Sequence, residues 1–140
     1  MQYRRTGFLL LCLTALTATA ACEDNTLVST TPTPIVTTSE TFTGTLTRNG
    51  AVTHQFSVSS RGNVTATLTK IDPDSGATIG ISLGTWNGTS CQTILSNDAT
   101  TVGTVLLATV SGVGNLCLRV YDAKGSVPAS EAYTVDVAHP

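Results

Sequence analysis

The sequence predicts an all-β protein: an antiparallel β-sandwich of about eight short strands, with no significant helix in its mature domain. The first observation is composition, because 27 of the 140 residues are threonine. Threonine and valine are β-branched, lose side-chain freedom in helices and pack well on a pleated sheet. The second observation is that apolar and polar residues alternate in short runs, and the third is that turn residues separate these runs at fairly even spacing. Many short strands with regular turns are typical of sandwiches and barrels.

The predicted strands are eight alternating segments, each followed by a turn signal or a loop: 41–47, 52–58, 63–71, 77–86, 91–95, 102–110, 116–122 and 132–138. The clearest is 63–71, where Val64, Ala66 and Leu68 alternate with threonines. Ile71 breaks this alternation, which predicts a bulge or a strand end there. The polar segment that follows 91–95 is predicted to be a loop. Period-two alternation buries only one face of a strand, so we expect two sheets packed face to face.

The amino-terminal residues predict export. Arg4 and Arg5 precede an apolar stretch, 7–21, that ends in small residues. This is the pattern of a secretory signal peptide, predicted here over residues 1–21, and the stretch is too short for a membrane-spanning helix. Residues 22–40 are rich in threonine, serine and proline, which predicts an extended tether, or alternatively an unpaired leader strand. The sandwich domain is predicted over residues 41–138.

Cys22 follows small residues in the segment TAAC, 19–22. This segment resembles the lipoprotein box of bacterial signal peptides, although Thr19 stands where that pattern usually has leucine. The resemblance implies a lipid anchor on Cys22, with the membrane as partner and the bacterial cell envelope as location. Glu23 favours the outer membrane. The alternative is cleavage after Ala20, which would give a secreted protein with a thiol at residue 22.

Three cysteines remain once Cys12 leaves with the signal peptide. An odd thiol is a liability in an oxidising compartment, and acylation of Cys22 would leave the single pair Cys91 and Cys117. Cys117 alternates with Leu116, Leu118 and Val120, so its side chain is expected to face out of the core. We therefore predict a Cys91–Cys117 disulfide, which would stabilise the domain by about 3–4 kcal/mol in the chain-entropy model.

The charge pattern argues against nucleic acid as a partner. From Cys22 onward there are five basic and nine acidic residues, a net charge of −4. No basic stripe is present to neutralise phosphates, and polybasic docking to a membrane is disfavoured for the same reason.

The sequence predicts neither catalysis nor a cofactor. His54 and His139 are the only histidines, and no GxSxG or HExxH motif is present. His54 shares a strand face with Phe56 and is expected to be packed or at a rim, whereas His139 is expected to be solvated. No metal site is predicted, although calcium could use the oxygen ligands of two turns: Asp72, Asp74, Asn97 and Asp98.

Trp86 is the only tryptophan and lies where a predicted strand meets a loop, in the segment GTWNGTSC. If exposed, its ring could stack on a sugar or anchor a protein partner. The alternative is that Trp86 closes one end of the sandwich core.

Two late segments carry a resemblance to a known family. In GVGNLCLRVYD, 112–122, the residues Gly114, Leu116 and Val120 are spaced as in the Gly-x-Tyr-x-x-x-Val strand of bacterial pre-peptidase C-terminal domains, with leucine in place of tyrosine. The final strand of that family resembles AYTVDV, 132–137, and its opening pair of strands resembles 42–58.

The resemblance covers residues 41–138 and implies a jelly-roll-like sandwich that serves secreted hydrolases as a non-catalytic module for binding, secretion or stability. Calcium binding does not carry over, because TIGISLGTW, 78–86, lacks the acidic residues of the family's corresponding strand.

Taken together, these features predict a non-catalytic, exported and lipid-anchored module that binds or adheres to a polysaccharide or protein surface. One alternative is a structural or assembly component of an envelope complex. The third and least favoured reading is a small secreted hydrolase.

Overall fold

The computed structural model describes residues 34–140. The predicted signal peptide, Cys22 and the first part of the tether lie outside these residues. Eight strands are present: β1 (Thr38–Thr47), β2 (Ala51–Val58), β3 (Gly62–Asp72), β4 (Ile79–Trp86), β5 (Cys91–Thr100), β6 (Val105–Val110), β7 (Gly114–Tyr121) and β8 (Ser130–His139).

The strands form two four-stranded antiparallel sheets, which confirms the predicted sandwich. Sheet A has the order β1-β8-β3-β6 and sheet B the order β2-β7-β4-β5. In each sheet the neighbours alternate between early and late strands, which is the winding of a jelly roll. Residues 34–140 contain no helix, and so none that could cross a membrane.

The order of the strands defines two sides of the sandwich. On the β1–β2 side, edge strands β1 and β2 belong to different sheets and are joined by a tight turn at Asn49, which has a positive φ of 55°. On the β5–β6 side, edge strands β5 and β6 lie opposite each other.

The strands also define two ends. At one end, which we call the Trp86 end, the chain enters β1 at Thr38, and Thr38 pairs with His139. The turns after β2, β4 and β6 lie at this same end, because successive strands are antiparallel.

The core lies between the sheets and is aliphatic. Alternate residues of each strand point inward, and Ala66, Leu68, Ile81, Leu118 and Val135 are completely buried. The predicted irregularity near Ile71 is confirmed: the register of β3 against β8 shifts between Leu68 and Lys70, and this shift returns Ile71 to the core.

Strand β4 departs from the expected one-sided burial, since Ile79 to Gly84 are buried on both faces. Its inner face carries Ile79, Ile81 and Leu83, but its outer face carries only Gly80, Ser82 and Gly84. A Cβ at Gly80 would collide with the ring of Tyr121, and one at Gly84 with the backbone carbonyl of Gln92. Small residues therefore allow neighbouring groups to cover the outer face of β4.

Two predicted boundaries were wrong. Strand β1 begins at Thr38, three residues before the expected start of the domain, because Thr38 to Glu40 already pair with the end of β8. The segment after Leu95 is not a loop: β5 continues to Thr100, with register shifts against β4 that accommodate its polar sequence. The Thr100 hydroxyl then donates to the Ile79 carbonyl oxygen.

Candidate functional site

An open cleft of about 540 Å³ lies on the outer face of sheet B at the Trp86 end. Strand β2 lines it with the outward-facing Gln55 and Ser57 and with Phe56 between them, β7 lines it with Asn115, and the end of β4 with the β4–β5 turn forms the remaining wall. The lining residues are Gln55, Phe56, Ser57, Trp86, Asn87, Gly88 and Asn115. None of them is charged, and four carry amide or hydroxyl side chains.

Hydrogen bonds fix the turn that carries Trp86. The Asn87 side-chain oxygen accepts from the backbone N–H groups of Thr89 and Ser90, at 2.9 and 2.8 Å. Gly88 follows with a φ of 96°, which favours glycine. An asparagine and a glycine at these positions therefore set the backbone that directly follows the indole.

The opposite wall of the cleft depends on the pairing of β2 with β7. Ser57 lies directly opposite Asn115 in this register, and the Ser57 hydroxyl donates to the Asn115 side-chain oxygen at 2.9 Å. The Asn115 amide nitrogen is then the group left to donate to a ligand.

Trp86 does not close the end of the core. It is half-buried as the last residue of β4, and it is not among the partly buried hydrophobic residues that pack against the core. The indole instead borders the cleft, so the structure places the side chain where a ligand in the cleft would meet it.

The predicted disulfide is confirmed. The Cys91 and Cys117 sulfurs are bonded at 2.05 Å, with Cα atoms 5.7 Å apart. Cys117 faces out of the core, as expected from the alternation, but its side chain is completely buried on the outer face of the sheet. The start of β5 folds over Gly84, the residue paired with Cys117, and so covers that sulfur.

A second group of polar residues lies at the other end of the same sheet face. The Arg119 guanidinium is 5.0 Å from the centre of the Tyr121 ring, a cation–π geometry. The Tyr121 hydroxyl donates to Asp98. Burial, together with the neighbouring Asp98 carboxylate, raises the pKa of Tyr121 above its usual value. Tyr121 therefore stays a neutral donor, and its ring covers Gly80 of β4.

Both histidines lie on the β1–β2 side, where their side chains point between the sheets and do not line the cleft. His54 stacks on Phe42 with ring centroids 5.0 Å apart, and its Nε2 lies 2.8 Å from the Tyr133 hydroxyl. Burial lowers the pKa of His54 below its ordinary value and raises the pKa of Tyr133 to about 12. This pair is therefore neutral at physiological pH.

The expectation that His139 is solvated was wrong. Its side chain is buried, packs against Phe56 with ring centroids 5.2 Å apart, and places Nε2 2.9 Å from a Glu40 carboxylate oxygen. The pairing of β8 with β1 brings this near-terminal residue inside, because β1 begins earlier than the sequence predicted.

The oxygen ligands considered for calcium take part in local structure. Asp74 accepts from the Gly76 N–H at 2.9 Å, and Asn97 accepts from the Ala99 N–H at 3.0 Å. Asp72 lies 3.8 Å from the Lys70 ammonium, and Asp98 accepts from Tyr121. Residues 34–140 contain no group of three or more His, Cys, Asp or Glu side chains arranged to hold a metal ion.

Sequence reasoning singled out Trp86 but missed the residues that face it. Gln55, Ser57 and Asn115 become neighbours only through the register of β2 against β7, two strands that are distant in the sequence. The available signal was their position in the strand pattern, since each alternates with core residues and must face outward.

Comparisons with known proteins support the fold. The structure of the Yersinia pseudotuberculosis-derived mitogen is similar, with a TM-score of 0.53 and 16% sequence identity over 75% of this chain and 88% of that one. A structure of Bacillus endospore appendages, described as disulfide-linked pili, gives a TM-score of 0.40 and 11% identity over 74% of this chain and 86% of that one. No protein-family model and no curated protein match the chain. The first similarity shows a shared fold and nothing more.

Proposed function

We propose that this chain is a non-catalytic binding module of the bacterial cell envelope, and that it holds a neutral polysaccharide in the Trp86 cleft. The observation that carries the proposal is the cleft itself, where an indole faces amide and hydroxyl side chains across an uncharged surface.

The chemistry of the cleft fits a sugar. The apolar face of a sugar ring stacks on an aromatic ring, while its hydroxyl groups need partners that both donate and accept. Gln55 and Asn115 supply amide groups of this kind around Trp86, while the Asn87 amide is engaged in the turn. The lining has no cation to pair with an anionic sugar and no carboxylate to repel one, so hydroxyl groups are the ligand chemistry best matched.

Export and anchoring form the second part of the proposal. A disulfide within the domain is typical of an oxidising compartment, which agrees with a signal peptide over residues 1–21. The Cys91–Cys117 pair leaves Cys22 as the odd cysteine, and a lipid on its sulfur would remove a reactive thiol and tie the module to a membrane.

Anchoring is tested by labelling cells with palmitate. Wild-type protein should incorporate the label and partition into the membrane fraction, whereas Cys22→Ser should lose both properties. Equal labelling of the two proteins would contradict the anchor, and unlabelled wild-type protein in the culture medium would support the secreted alternative.

The absence of catalysis is also a proposal, and the surroundings of the histidines support it. His54 is paired with Tyr133, and His139 with Glu40; within residues 34–140 neither imidazole hydrogen-bonds a serine or threonine hydroxyl. A screen of ester, peptide and glycoside substrates should therefore show no turnover. Turnover that is lost in His54→Ala but kept in a folded control would overturn this part.

The sugar site is tested by titrating neutral oligosaccharides against the purified exported protein. Trp86→Ala should weaken binding about tenfold, because aromatic stacking contributes roughly 1–1.5 kcal/mol. Asn115→Ala should weaken it by a smaller factor, since one hydrogen bond is lost. Lys124→Ala is the control, because this exposed side chain lies in the loop between β7 and β8, outside the lining. If Trp86→Ala bound the oligosaccharides with unchanged affinity, the proposed sugar site would be contradicted.

A structural role in an envelope complex is the second candidate, and one observation favours it. The β5–β6 side exposes apolar side chains that the cleft does not use. If the protein co-purifies with one envelope complex and binds no sugar, the assembly role replaces the binding role.

A further inference from the structure

The β5–β6 side exposes an unusual amount of apolar surface. Seven large hydrophobic side chains are exposed among the described residues, and five of them lie on this side: Ile94, Val102, Val105, Leu107 and Val113. Leu107 is 58% exposed and Val113 is 81% exposed. Clustered apolar exposure of this kind marks an interaction surface more often than scattered exposure does.

Strand β6 is also an unprotected sheet edge. It pairs with β3 on one side only, over Val105–Val110, so the backbone groups of its other side have no strand partner. Natural edge strands are commonly protected by charged residues, proline or bulges. The β6 sequence VLLATV has no charge and no proline, and its pairing with β3 shows no register shift. Edge strand β5, in contrast, has two register shifts and carries Asp98.

The charge distribution indicates what could cover this edge. The stretch 99–118 contains no charged residue, whereas the rest of residues 34–140 holds seven acidic and five basic side chains. A second copy that approaches with its own β6 brings an equally uncharged surface, so no like charges oppose each other. The rest of the domain carries a net negative charge, so two copies that met through another surface would bring like charges together.

We propose that β6 pairs antiparallel with β6 of a second copy and forms a two-fold symmetric dimer. With the axis at Leu107, this leucine faces its counterpart, Val105 faces Thr109, and Leu106 faces Ala108. The outward-facing apolar residues then meet on one face of the joined sheet, and the inward-facing ones meet on the other. Sheet A continues across the axis as eight strands, and the symmetry closes the assembly at two copies.

Apolar side chains next to β6 extend the surface. Ile94 and Val113 border a groove with Thr109 and Val110, at the Trp86 end of β6. A strand added to β6 would lie beside this groove and cover it in part. The Trp86 cleft lies on the outer face of sheet B, so pairing through sheet A leaves the cleft accessible in both copies.

The proposal is tested by the mass of the protein in solution. The full chain is exported with Cys22→Ser, so that neither a lipid nor a thiol at residue 22 contributes to association. Sedimentation from about 1 to about 100 µM should show a concentration-dependent dimer. Leu107→Lys should raise the dimer dissociation constant at least about tenfold, since two like charges would face each other at the axis. A wild-type protein that stays monomeric over this range would overturn the proposal.

Val36→Lys is the matched control, because Val36 is exposed and lies ahead of β1, away from β6. It should leave the dimer intact, and equal unfolding midpoints of the two lysine variants would show that both are folded. If Val36→Lys dissociated the dimer, the segment before β1 would be identified as part of the interface, and the β6 pairing would be overturned.

The register is tested separately. Leu107→Cys should form a disulfide with its counterpart in the second copy under mild oxidation, whereas Val36→Cys should not. Both reactions are followed on non-reducing gels in the Cys22→Ser protein. Cross-linking through residue 36 in preference to residue 107 would contradict the axis proposed here.

Discussion

The two sides of the sandwich are closed by different means. On the β1–β2 side, aromatic and titratable side chains bridge the sheets: His54 stacks on Phe42 and bonds Tyr133, and His139 packs against Phe56. On the β5–β6 side, no comparable side-chain bridge joins β5 to β6 among the described residues. On that side the disulfide ties edge strand β5 to β7 within sheet B, and the backbone of β5 packs over Gly84 of β4.

The difference shows how a domain poor in aromatic residues uses the few that it has. Phe42, Phe56 and Tyr133 all serve the β1–β2 side, where they surround the two histidines. The β5–β6 side depends on the Cys91–Cys117 disulfide and on the close packing of Gly84, and several of its apolar side chains are exposed. We therefore expect substitutions on the β5–β6 side to cost more stability than substitutions on the β1–β2 side.

The largest effect is expected from removal of the disulfide. Replacing Cys91 and Cys117 together with alanine should lower the free energy of unfolding by about 3–4 kcal/mol, because the unfolded chain regains the freedom of the closed loop. Urea unfolding of the oxidised wild type, the reduced wild type and the double variant measures this. A loss below about 1 kcal/mol would show that β5 is held in place without the bond.

The next effect is expected at Gly84. A methyl group in Gly84→Ala collides with the backbone carbonyl of Gln92, which a change of rotamer cannot relieve, so β5 must move. We expect a loss of about 2 kcal/mol in the free energy of unfolding. Gly112→Ala is the control, since nothing lies within 4 Å of a Cβ there, and it should be close to neutral. Equal effects of the two substitutions would remove the special role of Gly84.

A smaller effect is expected on the β1–β2 side. Tyr133→Phe keeps the buried ring but removes the hydroxyl that lies 2.8 Å from His54 Nε2. The loss should be about 1 kcal/mol, measured by urea unfolding at neutral pH. A loss as large as that of the cysteine double variant would reverse the ranking of the two sides.

The smallest effect is the dependence of stability on pH through His54. Burial lowers the pKa of His54 below 6.5, so the folded protein disfavours the protonated imidazole. As the pH falls through 6.5, His54 is protonated in the unfolded chain before it is protonated in the folded protein. The free energy of unfolding should therefore decrease from about pH 7 toward about pH 5. His54→Gln should have a flatter profile over this window than wild type. Parallel profiles would show that His54 does not contribute.

Most of the fold could be predicted because it depends on local periodicity. Alternation identified all eight strands, and the break at Ile71 identified a bulge. The outer face of β4 was missed because Gly80, Ser82 and Gly84 are small enough to be covered, which alternation alone does not reveal. Burial of Cys117 was missed for the same reason.

The candidate site was less predictable, because it depends on contacts between distant segments. Trp86 attracted attention through its residue type and its place at a strand end. Ser57 and Asn115 meet only through the register of β2 with β7, and His139 meets Glu40 only through β1 and β8. Registers of this kind are set by how the whole sandwich packs, and no single segment encodes them.

The chain enters β1 at the end of the sandwich where Trp86 lies, and the carboxyl terminus returns there, with the Pro140 carbonyl accepting from the Ser59 N–H at 3.0 Å. Fifteen residues lie between Cys22 and Thr38, so the tether of an anchored domain could span at most about 55 Å. The point where the tether joins the domain would then lie at the Trp86 end, as the cleft does. A domain fused after Pro140 would therefore lie next to the cleft.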